Sequence, residues 1–130
     1  MTAITSPLAA YARAGNHLIL EHILEGEGWF DELVTLFAPF DVLFIGLHCP
    51  PDVLEAREEA RGDRPIGSAL ADYHNIHKSL RYDLELDALD PLADNVEKVI
   101  ATWQEQMTRG GNRPSVFKQK WADLNSALRE

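Results

Sequence analysis

"DVLFIGLHCPPDVLEAREEARG", residues 41–62, decides the fold class. Its first nine residues are mostly apolar, β-branched or aromatic, and they do not alternate with polar ones. That is the pattern of a strand covered on both faces, as in a parallel sheet. Pro50 and Pro51 break the run and open a new element. Asp52 near its start and Gly62 at its end bracket a helix. A buried strand feeding directly into a helix is half of a βαβ unit.

The flanking sequence continues the alternation. Upstream, "HLILEHIL" is a short run rich in Ile and Leu, and it predicts a strand near 17–23. Downstream, "RYDLELD" alternates: Tyr82, Leu84 and Leu86 point one way, Asp83, Glu85 and Asp87 the other. That predicts a strand over 82–87, close to a sheet edge. Helices are predicted over 7–14, with Pro7 in the first turn and Gly15-Asn16 as terminators. Others follow over 28–40, where Pro39 ends a stripe of Trp29, Leu33, Leu36 and Phe37, and over 68–80. A further helix, 91–107, carries Leu92, Val96, Val99, Ile100 and Trp103 on one stripe. Strand and helix in turn, three times, predict an α/β protein with parallel strands near 17–23, 41–49 and 82–87. Ligands of such sheets bind beyond the carboxyl ends of the strands. Glu21, His22, Cys49 and Asp87 lie at those ends.

After Gly110-Gly111 the composition shifts. Phe117, Trp121, Leu124 and Leu128 recur at helical spacing and predict a terminal amphipathic helix over 115–129. The expected organisation is a main domain over 1–108, then a hinge and terminal helix over 109–130. A length of 130 residues suits one modest core. The formal net charge of -9 argues against general binding to nucleic acid or anionic membrane, since both need a cationic surface. The single cysteine, Cys49, excludes an intrachain disulfide and a cysteine-based zinc cage. That composition, with no signal-peptide pattern at the start, leads us to expect a cytoplasmic protein. The terminal helix and an open sheet edge are the surfaces through which a homo-oligomer would form.

Against this acidic background stands a basic row. Arg57, Arg61 and Arg64 follow one another at spacings of four and three, so on a helix they share a face. Like charges so placed repel, and something must compensate. Local carboxylates are one answer: Glu55, Glu58, Glu59 and Asp63 are all near. The other is a bound anion, because guanidinium groups grip phosphate through two parallel hydrogen bonds and stay charged at any working pH.

Taken together, "ARAGNHLILEHIL", "FDVLFIGLHCPPDVLEAREEARGDRPIG" and "YHNIHKSLRYDLELD" resemble the chloramphenicol phosphotransferase family of P-loop kinases. The likeness runs from about Ala9 to about Trp103. Its most specific part is His48-Cys49-Pro50 followed by Leu54, Glu55, Arg57, Glu58, Ala60 and the "ARGDR" run. The resemblance implies a three-layer, P-loop-kinase-like parallel sheet. It implies transfer of the ATP γ-phosphoryl group, with Mg²⁺, to a hydroxyl of a small molecule. It also implies a lid in which Arg57, Arg61 and Arg64 contact the nucleotide phosphates. Arg61 and Arg64 are the catalytic candidates, and Arg57 lies nearer the middle of its helix. Glu21 matches the first of two acidic residues that relatives place near Mg²⁺ and substrate, whereas His22 departs from that pair.

One motif of the family is not in this sequence. A P-loop needs G-x-x-x-x-G-K-[ST], and no glycine here is followed by lysine. In the family that loop follows the first strand, which sits centrally between the third and fourth. The expectation is therefore a domain incomplete at its N-terminus: a truncated and inactive form of a kinase, which does not bind ATP tightly by itself. A misplaced start codon, or a decayed or repurposed domain, would leave the same pattern. The alternative function is a non-catalytic interaction module derived from a kinase fold.

Three remaining candidates fit ordinary structural roles. His74 and His77 sit three apart on the helix predicted over 68–80, with no third metal ligand beside them. Cys49 at the end of a buried strand reads as packing rather than as a nucleophile. His22 also reads as a solvated strand end. No metal site is expected from these residues.

Overall fold

The computed structural model describes residues 2–21, 28–62, 80–108 and 114–128. They form a mixed α/β structure of five helices and two strands: α1 Thr2–Arg13, α2 Trp29–Phe37, β1 Ile45–His48, α3 Pro51–Arg61, β2 Leu84–Asp87, α4 Leu92–Thr108 and α5 Val116–Leu128. The residues group into two compact units, Met1–Phe44 with Gln106–Glu130, and Ile45–Glu105. The helix predicted over 68–80, with His74 and His77, lies outside the described residues, as do Arg64, His22 and the glycine hinge.

In the first unit, α2 buries Leu33, Val34 and Phe37, which fall on one helical stripe. Ala9 of α1 and Phe117 of α5 close the same core, with Leu18, Phe30, Phe44, Trp121 and Leu124 packed around it. Phe30 stacks on Phe44 at 5.3 Å between ring centroids. Phe117 meets Phe30 edge-on at 5.6 Å. Lys118 Nζ donates to the Ala38 carbonyl at 3.2 Å, so a cation caps the negative end of α2. The terminal amphipathic helix is thus present, and its apolar face is built into the core.

Two expectations are corrected here. The first helix starts at Thr2, well before Pro7, and Pro7 lies inside it. Nothing between Thr2 and Ser6 breaks a helix, and near the N-terminal end the proline removes one intrahelical hydrogen bond. The strand expected near 17–23 is not one over its described part, residues 17–21. A strand persists only beside a hydrogen-bonded neighbour, and the only strand pair among the described residues is β1 with β2. Leu18 packs against the helical core instead, while Ile19 is fully exposed.

In the second unit, β1 and β2 run parallel in the register Ile45↔Leu84, Gly46↔Glu85, Leu47↔Leu86 and His48↔Asp87. Both strands were expected, at 41–49 and 82–87, and both are shorter. Residues 41–44 leave the ladder because they serve the other unit. Phe44 stacks in its aromatic cluster, and the Val42 carbonyl accepts from Gln106 Nε2. Helix α3 ends where Gly62 turns left-handed (φ 67°) and donates its N–H to the Glu58 carbonyl. That is the glycine cap the sequence announced.

Helix α4 begins after Pro91, whose carbonyl accepts from the N–H groups of Asp94 and Asn95. Its expected stripe is split. Val99 and Trp103 are half-buried, but Leu92, Val96 and Ile100 are exposed. The cause is Asn95, which is buried and donates through Nδ2 to the Asp87 carbonyl at the end of β2. That bond turns the face of Asn95, Val99 and Trp103 inward. Val96 and Ile100 fall about 100° beyond Asn95 and Val99 respectively, and Leu92 is the first residue of the helix. Among the described residues, no helix is long and apolar enough to cross a membrane.

Candidate functional site

The candidate site is built on the carboxyl ends of β1 and β2, within the second unit. The register puts Gly46, His48, Glu85 and Asp87 on one face of the ladder, since side chains alternate along a strand. Nε2 of His48 lies 3.0 Å from Oε1 of Glu85. A carboxylate only accepts hydrogen bonds, so the imidazole N–H donates. The Tyr82 ring stands edge-on to His48, with centroids 5.7 Å apart. It also covers Gly46 so closely that a Cβ there would lie 2.6 Å from the ring. Asp87 is tied into the next turn, where its Oδ1 accepts from the Leu89 N–H at 2.8 Å.

Two residues, Cys49 and Pro50, separate His48 from the start of α3. Cys49 is buried, as expected of a packing residue. Arg57 and Arg61 are exposed on α3, whereas Glu58 between them is buried. Glu21 belongs to the first unit and is exposed there. Among the described residues, no three His, Cys, Asp or Glu side chains come together to hold a metal ion.

Burial pushes the Tyr82 hydroxyl above its ordinary value of 10.0, and the negative charge of Glu85 adds to the effect. The neutral phenol is thus the form that the folded state favours. As pH rises past 10.0, the unfolded chain loses the proton first, so this contribution to stability is intact below that pH and lost above it. Tyr82→Phe removes the ionisation. In alkaline unfolding titrations the variant is expected to lose less stability than the parent above that pH.

A family model described as chloramphenicol phosphotransferase-like protein matches residues 1–104. The chain belongs to that family. The match takes in both strands, the arginine helix and most of α4, and it leaves α5 outside. No curated protein matches the chain. Membership of the chloramphenicol phosphotransferase-like family makes a kinase-like phosphotransferase the frame for the site. The sequence pointed to the arginines and to Glu21. It gave less notice of the Tyr82, His48 and Glu85 cluster. The available signal was Gly46, an isolated glycine inside a strand pattern, which marks a close approach by another group.

Proposed function

We propose that the chain is part of an ATP-dependent kinase that phosphorylates a hydroxyl of a small molecule, with Arg57 and Arg61 of α3 as phosphate ligands. Arg64 continues the row in sequence and is proposed for the same role. The architecture proposed with it is the three-layer parallel sheet of P-loop kinases, in a cytoplasmic protein. The observation that carries the reading is the exposed pair of guanidinium groups, one turn apart, on the helix that leaves the carboxyl end of β1. Open parallel sheets place their ligands at that end. Guanidinium forks suit phosphoryl oxygens, which gain charge during transfer. Glu21 is proposed to face the acceptor or the metal in the assembled enzyme, with His22 beside it. The 130 residues contain no P-loop, so they are expected to bind triphosphates weakly and to leave them uncleaved.

The test is titration of ATP and of inorganic tripolyphosphate into the 130-residue chain, followed by amide chemical shifts of α3. Binding is expected in the range of about 1 mM. Arg61→Ala should weaken it about tenfold, the loss of charge-assisted hydrogen bonds worth about 1.5 kcal/mol. Stability should change by less than about 1 kcal/mol, because exposed charges contribute little to folding. Arg61→Lys should restore only part of the affinity, since a point charge cannot reproduce the planar fork. Unchanged tripolyphosphate binding in Arg61→Ala would remove the phosphate role from this helix.

A further inference from the structure

We propose that the His48–Glu85 pair, braced by Tyr82, is a positioning device that fixes the direction in which the arginine helix leaves the sheet. The inference rests on the phosphate-binding reading above and adds to it two residues that do not touch the ligand.

His48 is the last residue of β1, and α3 starts at Pro51. The connector between them has little freedom. Cys49 is buried, and the ring of Pro50 fixes its φ, which is -54°. Pro51 follows as the first helical residue, with φ fixed in the same way. Residue 50 caps the helix without a side-chain hydrogen bond. Among the described elements, none packs broadly on α3. The stiff connector thus carries the direction of the β1 end into α3, the helix of Arg57 and Arg61.

That strand end is held from three sides. The His48 carbonyl accepts from the Ala88 N–H at 2.7 Å. Its imidazole donates to Glu85 at 3.0 Å, and its ring rests against the edge of Tyr82. The hydrogen bond crosses the ladder diagonally, because the register partner of His48 is Asp87 and that of Glu85 is Gly46. A diagonal brace resists sliding of one strand along the other, which the backbone ladder alone resists less. Loosening it lets the strand end rotate, and α3 rotates with it.

Charge alone predicts the opposite result, which makes the pair testable. Glu85 is an acidic group near a site proposed for anions. If it acted only through its charge, removing it would tighten anion binding, whether by Ala or by Gln. As a brace it gives a different pattern. Glu85→Gln keeps an oxygen that accepts from the imidazole, so tripolyphosphate binding should stay at or slightly above the parent value. Glu85→Ala loses the acceptor and should weaken binding about fivefold, with shifted amide resonances along 51–62 in Glu85→Ala and not in Glu85→Gln. Should Glu85→Ala unfold early, His48→Phe keeps a ring against Tyr82 and loses the hydrogen bond to Glu85, and it should show the same loss. Arg61→Ala serves as the reference. If it weakens binding while Glu85→Ala and His48→Phe bind as well as the parent or better, the brace is refuted and the phosphate reading stands. If Arg61→Ala has no effect either, the phosphate reading itself fails.

Discussion

Phe117→Ala is expected to destabilise the helical unit by about 3–5 kcal/mol, the cost of emptying an aromatic site in a packed core. Phe117 is 5% exposed. Its ring lies 5.6 Å from that of Phe30 and 5.3 Å from that of Phe44, so its loss strips two aromatic contacts as well as apolar area. The cavity has little means of collapse, because its walls belong to different segments of the chain: α2, the stretch before β1, and α5. Leu128→Ala on the same helix is the control. That side chain is 84% exposed, and its loss should change stability by no more than about 0.5 kcal/mol. Urea unfolding followed by tryptophan fluorescence reads both, since Trp29 and Trp121 belong to this unit. An equal, small effect for the two variants would show that α5 is not part of the core. Phe117 lies beyond the residues shared with the family. The stability of the first unit is therefore expected to depend on a helix that family membership does not predict.

Gly46→Ala has the second largest expected effect, about 1–3 kcal/mol, and the cause is overpacking rather than a cavity. The added methyl would lie 2.6 Å from two carbons of the Tyr82 ring and 2.8 Å from Cγ. The Cγ contact is decisive, because it is the root of the ring and swings less than the far end. The ring cannot tilt freely, being set edge-on to His48. Either Tyr82 moves and disturbs His48, or the ladder spreads at the Gly46↔Glu85 pair. A double-mutant cycle separates these outcomes. In a Tyr82→Ala background the same Gly46→Ala change should cost far less, since neighbours that share a contact are not additive. Equal costs in the two backgrounds would show that the ring is not what excludes a side chain from position 46.

Much of the local structure was legible from residue order. Pro50-Pro51 and Gly62 mark the ends of α3 because proline and glycine act through their own backbone geometry, whatever surrounds them. The stripe of Leu33 and Phe37 identified α2, and Phe117, Trp121 and Leu124 identified α5, because helical periodicity is a local property. The arginine row was visible for the same reason: spacings of four and three put three charges on one side of a helix.

The sequence alone marked the described helices and the point where α3 stops, and it placed β1 and β2 among three expected strands. Tertiary structure decided the rest. Residues 17–21 have a strand's composition, yet a strand needs a neighbour, and pairing is not encoded within the segment itself. Helix α4 carries an apolar stripe, but the bond from Asn95 to the Asp87 carbonyl sets which face turns inward. One buried polar group, which must find a partner, outweighed the pattern of its neighbours. The His48–Glu85 pair depends on register, and a shift of one residue would send one of those side chains to the opposite face. Its partners lie 37 positions apart, a distance over which no local rule acts, and only the closed ladder brings them within a hydrogen bond.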